Sequence, residues 1–266
     1  MRLDQAESWS QLQELLFGEM WSPSLGRFRS DEVFRGEGRA SNELTTSLQR
    51  LGGPYPELER HLLRNFRKYA HRDAVQREST WHWLALAKHH GLPTRLLDWS
   101  HSPYVALHFA TENPAVLDED GIVWAVDYVR AATHLPAALR SVLDEEGSNT
   151  FTAEMIDRAA TTLSALDALA DQSEEFIVFY EPPSLDERIT NQFAAFSFMS
   201  NARARADEWL GVHPDLLRRV VIPAGLKREV RDKLDQANVT ERVLFPGLDG
   251  IARWLARHYS SPAPGS

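Results

Sequence analysis

The residues best equipped for chemistry lie in one stretch, His89-His90-Gly91-Leu92-Pro93-Thr94-Arg95-Leu96-Leu97-Asp98-Trp99-Ser100-His101-Ser102-Pro103. Imidazoles, a guanidinium, a carboxylate, an indole and hydroxyls follow one another there, and apolar helix-like sequence lies on both sides. A connector needs only turn formers, and Gly91-Leu92-Pro93 supplies them. The remaining polar groups exceed that need, and loops held by rigid elements are where binding and chemistry concentrate. The structural alternative is a buried polar network that locks a core. A second arginine, Arg35, closes a short apolar run at Phe34-Arg35-Gly36.

The elements that must position these groups read as mixed. Residues 5–18 form an amphipathic pattern with Trp9, Leu12, Leu15, Leu16 and Phe17 apolar. Val33–Gly36 reads as a short strand. Residues 56–71 and 79–90 read as helices, the second ended by Gly91. The stretch 89–103 reads as a loop, and Ser102-Pro103 sets a hydroxyl and a first-turn proline before a helix over Tyr104–Thr111. Gly121–Asp127 and Phe176–Tyr180 are apolar runs of buried-strand type, and 194–199 and 220–223 are two more. Helices are expected over 131–146, 152–171, 226–237 and 248–259. With no long linker, no repeat and no regular βαβ alternation, the expectation is one α+β domain over 1–259: central short strands, flanking helices, a core over 30–255 and a frayed tail at 260–266.

Composition narrows the function classes. The 266 residues are 43% hydrophobic and 25% charged, an ordinary globular mix. No apolar run approaches the roughly 20 residues of a membrane span, and no signal-peptide core follows Met1, so a cytoplasmic protein without membrane contact is expected. Cysteine is absent, which removes thiol nucleophiles and cysteine-ligated metals. There is no His-Glu-x-x-His spacing, and no metal site is expected. A net charge of −9 does not suit a general polyanion binder. One basic stripe, Arg60, Arg64, Arg67 and His71 beside His61, Lys68 and Arg72, reads first as a solvated helix face.

Phe34-Arg35-Gly36-Glu37 and the run from His89 to Trp99, continuing through Ser100 to Ala110, resemble the signatures of the FRG domain, a bacterial family. Arg188, Gln192 and Phe196 resemble a later hallmark, and Leu244–Gly250 a C-terminal one. Phe34–Gly36, the stretch 89–103 and Arg188 with Gln192 are expected to converge on one pocket, because polar side chains from three distant segments are costly to bury without a shared ligand or network. The order of motifs is similar to that of the ADP-ribosyltransferase fold, so the resemblance implies a core of that kind. It also implies NAD as co-substrate and a macromolecular acceptor, protein, RNA or DNA. The context implied is a toxin or anti-phage system with an antitoxin or defence partner. Arg35 would be the early arginine, Ser100 and Ser102 the hydroxyl pair, and Gln192 the late polar residue. Transferases of that fold carry a glutamate where Gln192 stands, so the acid would be displaced to Asp98 or Glu181.

On this reading nicotinamide departure leaves an oxocarbenium-like ribose, which a carboxylate stabilises while a base takes the acceptor's proton. Asp98, His90 and Glu181 are the catalytic candidates. Arg35 and Arg95 match a pyrophosphate with their planar forks. Trp99 or Tyr104 supplies a ring for the nicotinamide, and Thr94, Ser100, Ser102 and Gln192 supply hydrogen bonds. Each has a structural reading as well: an ion pair at the strand end for Arg35, a pair with Arg95 for Asp98, a helix cap for His90 and Ser102. Two other function classes stay open, a nucleotide-sensing module without turnover and a nuclease or other hydrolase. His90, Asp98 and Ser100 resemble a triad in content, but no Gly-x-Ser-x-Gly elbow is present.

Overall fold

The computed structural model describes residues 2–23, 25–70, 79–171, 173–184 and 186–260. His71, Arg72 and the tail beyond Ser260 lie outside them. In chain order the elements are β1 (Arg2–Gln5), α1 (Trp9–Phe17), β2 (Trp21–Ser22), β3 (Arg27–Phe28), β4 (Glu32–Glu37), α2 (Tyr55–Ala70), α3 (Thr80–His89), β5 (Leu97–Ser100) and α4 (Pro103–Thr111). Then follow β6 (Gly121–Asp127), α5 (Tyr128–Ala131), α6 (Ala137–Glu146), α7 (Ala153–Ala159), α8 (Leu163–Ala170), β7 (Ile177–Tyr180), α9 (Glu187–Asn191) and β8 (Ala194–Met199). The chain continues through α10 (Ala206–Val212), β9 (Leu217–Ile222), α11 (Ala224–Gln236), α12 (Glu241–Leu244) and α13 (Leu248–His258).

Seven strands form one mixed sheet in the order β1-β9-β6-β4-β5-β8-β7, and helices flank it. Every neighbouring pair is antiparallel except β1 with β9. The β4–β5 seam is unlike the others. β4 pairs with β6 over six positions, and β5 pairs with β8 over four, yet β4 and β5 share only Phe34↔Ser100. Beyond that bridge the two halves of the sheet part.

The core follows this division. Trp81, Leu84, Phe196 and Phe198 belong to a cluster that packs α2, α3 and α6–α8 on the β5-β8-β7 half. Phe34, Ala106, Val123 and Val220 belong to a second, under α1, α4 and α11 on the β4-β6-β9 half. A third cluster, with Val33, Trp99, Trp124, Ile177 and Trp209, runs across both halves. Strand alternation links the first two to one face: Asp98 pairs with Phe196, and Ser100 pairs with Phe34. The opening between those two clusters therefore sits over the parted seam.

Gly36 lets α4 lie directly on β4. A Cβ there would stand 1.7 Å from the Ala106 carbonyl oxygen and 2.8 Å from the Ala110 nitrogen, so only glycine fits. Lys227, fully buried, donates its ammonium to the carbonyls of Gly38 and Val116, both at 2.7 Å, and ties down the chain that leaves β4.

Several sequence expectations shift. The helix expected over 5–18 starts at Trp9, because residues 2–5 are drawn into parallel pairing with β9 and Ser8 caps the helix from Gln11 N–H. The stretch 89–103 is not all loop: Leu97–Ser100 is an interior strand. The helix expected over 131–146 breaks at Pro136. That over 152–171 breaks where Ala160 turns extended and Thr162 caps a new helix. The strand at 220–223 begins earlier, at Leu217. The short helices α9, α10 and α12 went unread.

Candidate functional site

A cavity of about 370 Å³ opens over the parted seam. That volume falls within the range of small-molecule sites. Its walls come from β4, the C-terminal end of α3, β5, α4 and the α9–β8 junction. The three segments expected to meet, Phe34–Gly36, parts of 89–103, and Arg188 with Gln192, do line this one space.

Arg35 crosses the seam. Its Nη1 donates to the Asp98 carbonyl at 2.8 Å, and its Nε donates to Glu37 at 2.8 Å. Nη2 lies 2.7 Å from the same Glu37 oxygen, and the Asp98 carboxylate is 3.9 Å from Nη1. The guanidinium thus takes a backbone acceptor of β5 at the edge where the ladder with β4 has ended. All three of its nitrogens are engaged.

Asp98 projects from β5 into the cavity with 60% of its side-chain surface exposed, although protein surrounds it. Lys88 from α3, only 12% exposed, reaches its carboxylate at 2.7 Å. Enclosure pushes the Asp98 carboxyl up, but Lys88, Arg35 and the more distant Arg188 outweigh it and hold the group below the usual carboxylate range. Asp98 is therefore an anion at neutral pH, facing open space.

His89, not His90, is the imidazole of the cavity. Its Nε2 lies 2.8 Å from Asp186, the N-cap of α9. Burial lowers its pKa, and Arg188 and His90 add to that effect against the pull of Asp186. His90 caps α3, is exposed and packs against Phe66 outside the cavity.

Other expected site residues are placed elsewhere. Arg95 is buried and grips Glu59, with Nε–Oε2 at 2.7 Å and its backbone N–H on Oε1 at 3.0 Å. Thr94 is fully buried and exchanges hydrogen bonds with Ser47. Trp99 contributes to the wall, but its ring packs in the third cluster and its Nε1 donates to Ser197 at 2.7 Å, so it is not a free stacking platform. Strand alternation turned it away from Asp98 and Ser100. Ser100 lines the cavity, yet its hydroxyl donates to the Gln192 carbonyl at 2.7 Å and accepts from Ser102 N–H. Ser102 takes the N-cap position of α4 without a side-chain cap and does not line the cavity. Gln192 does line it, while its amide donates to the Leu244 carbonyl at 2.9 Å. Glu181 is exposed beyond β7, where its charge acts on His101 and Tyr128 rather than on the cavity.

Sequence reading gave no site role to three residues that line the cavity, Glu37, Lys88 and Glu112. Glu37 stands two positions after Arg35 on a strand, a spacing that puts both on one face and was a usable signal. Lys88 closes the helix before the polar stretch. Glu112 lines the cavity from the end of α4, and Arg188, already singled out in the later hallmark, lines it from α9. Glu112 lies 3.3 Å from Nε2 of fully buried His108, whose Nδ1 meets the Arg231 guanidinium at 2.8 Å. Among the described residues no group of three potential ligands suits a metal ion, and no helix is long and apolar enough to cross a membrane.

Comparison with known proteins adds one finding. Residues 30–119 match the FRG domain, a span that holds β4, the His89–Trp99 run and α4. The match ends there, so Arg188, Gln192 and Leu244–Gly250 lie outside it. No curated protein and no solved structure matches the chain.

Proposed function

We propose that the cleft between β4 and β5 binds NAD and transfers its ADP-ribosyl group to a macromolecular acceptor. One observation carries this reading: Asp98 is an ionised carboxylate that opens into a ligand-sized cavity while Lys88 and Arg35 fix it from behind. A fixed anion facing open space stabilises a cation that forms only during reaction, because it needs no reorganisation at that moment. In the proposed step the C1′–N bond of the nicotinamide riboside breaks and nicotinamide leaves with the electron pair. Positive charge develops on the ribose beside Asp98. The acceptor's nucleophile forms the new bond to C1′ and gives up its proton. His89 takes that proton: burial keeps the imidazole neutral, and with Nε2 turned to Asp186, Nδ1 is its free acceptor. Arg35 acts through Glu37 and Asp98, which it orders.

A second reading, a sensing module that binds nucleotide without turnover, draws on a specific feature. The cavity carboxylates already have partners, Asp98 with Lys88, Glu37 with Arg35, and Glu112 beside His108. A binding pocket needs no free base. Incubating the purified chain with labelled NAD and, separately, lysate protein, RNA and DNA divides the two. Label in an acceptor, lost in Asp98→Asn while NAD binding persists, supports transfer. NAD binding without label in any acceptor supports sensing. Absence of both removes the NAD reading.

A further inference from the structure

Four cationic side chains line the cavity, and three of them have carboxylate partners. Arg35 is held by Glu37 and Asp98, Lys88 by Asp98, and Arg39 by Glu119. Arg188 differs. Among the described residues no carboxylate pairs with it, and its side chain donates no hydrogen bond. Its guanidinium instead stacks on Phe245, 4.9 Å from the ring centroid, and Arg253 of α13 stacks on the same ring at 4.8 Å. Stacking uses the face of a guanidinium and leaves its N–H edges free.

The element carrying Arg188 is pinned on both sides. Asp186 caps α9 by accepting from the N–H groups of Arg188 and Ile189. Asn191 and Gln192 at its other end donate to the carbonyls of Val243 and Leu244, at 2.8 and 2.9 Å, just before Phe245. Backbone and ring are therefore set by one connected structure. The charge is felt inside the cavity, since Arg188 lowers the pKa of both Asp98 and His89. A cation that no described carboxylate pairs with directly, held by its flat face, fits a ligand that supplies the anion.

We propose that Arg188 is the anion clamp of this cleft and takes a diphosphate group of the ligand through its free edge, with Phe245 holding the guanidinium in plane. This assignment rests on the nucleotide-binding reading above and moves the phosphate-binding role from Arg35, whose nitrogens are engaged, to α9. It makes the ligand class diphosphate-bearing.

Binding of inorganic pyrophosphate, and of ADP-ribose against adenosine, to the full chain tests it by calorimetry. Wild type should bind pyrophosphate and prefer ADP-ribose to adenosine. Arg188→Ala should weaken both diphosphate ligands by about tenfold or more, as expected for a charge-assisted bidentate contact. Arg188→Lys should recover only part, because an ammonium lacks the fork, and Phe245→Leu should fall between wild type and Arg188→Ala. The melting temperature of ligand-free Arg188→Ala should stay near wild type, which excludes a folding defect. Equal pyrophosphate affinity in wild type and Arg188→Ala overturns the proposal, as does no pyrophosphate binding by wild type. NAD transfer unchanged in Arg188→Ala overturns the clamp and leaves the transferase standing. Pyrophosphate binding lost in Arg188→Ala, without NAD transfer by wild type, supports the clamp and removes the transferase.

Discussion

Arg35 and Arg95 make an instructive pair. Both are arginines of the matched FRG span, both bind a carboxylate, and both reach across elements distant in sequence. Arg95 and Glu59 are 4% and 1% exposed, a closed ion pair that joins the loop before β5 to α2. Arg35 lies at a cavity, and the carboxylate it helps to hold, Asp98, is 60% exposed. The first pair satisfies its own charges and leaves nothing for a ligand. The second holds an anion in place while keeping it accessible. What separates a brace from a site is thus the solvent on one side of the carboxylate, not the identity of the pair.

The contrast is sharpest under mutation. Glu59→Ala leaves a buried guanidinium with only the longer 3.4 Å contact to Asp167, and the expected loss is about 3 kcal/mol of stability. Urea unfolding measures it, and a loss under 1 kcal/mol would show that Arg95 finds water or another acceptor. Asp98→Asn should do the reverse. Stability should fall less than in Glu59→Ala, because the carboxylate is largely exposed and the amide oxygen can still accept from Lys88, while on the proposed transferase reading label transfer from NAD should fall about a hundredfold for loss of one electrostatic group. If Asp98→Asn unfolds the chain and leaves transfer per folded molecule intact, the two arginine sites are alike.

Acid should affect the cavity region before the closed ion pairs near the C-terminus. Burial lowers the pKa of His89 from its ordinary 6.5, and His101 is lowered for the same reason. Between pH 6.5 and the lower native value the unfolded chain binds protons that the folded chain refuses, so stability falls as pH drops through that window. Glu241 lies at about 2 rather than 4.5: burial raises it, but Arg257 dominates. Its stabilisation is present above 4.5 and is lost as pH falls from there toward 2. Melting temperatures across pH 8 to 3 should therefore decline in two stages, with His89→Gln removing part of the first. A flat curve from pH 7 to 5 would count against a neutral buried His89.

The smallest effect concerns backbone strain at the cavity's rim. Phe193 has φ +46° and is 63% exposed between cavity residues Gln192 and Ala194. Its own carbonyl accepts from His101 N–H, and that of Gln192 from Ser100. Phe193→Gly should relieve the left-handed penalty and leave stability unchanged or raised by no more than about 1 kcal/mol, the unfolded-state entropy of glycine offsetting part. A clear fall in melting temperature would mean the ring packs in a way its exposure does not suggest.

Local signals decided much of this chain. The apolar run 121–127 and the run ending at Tyr180 became strands β6 and β7, because an unbroken apolar segment bounded by polar residues has few other ways to bury itself. Phe34-Arg35-Gly36 and the His89–Trp99 run named the family span and two residues of the site, Arg35 and Asp98. Helix breaks at Pro136 and Ala160 were blurred, since propensity favours continuing an alanine- and leucine-rich stretch until packing stops it. The tertiary structure alone decided which arginine faces water, which imidazole of His89 and His90 enters the cavity, and that Lys88, Glu37 and Glu112 join Asp98 there. Those outcomes depend on β4 and β5 sharing a single bridge and then parting. Local sequence sets the conformation of each strand and which way its side chains alternate. How far two strands stay paired is settled by the helices packed over them, here α3 on one half and α4 on the other.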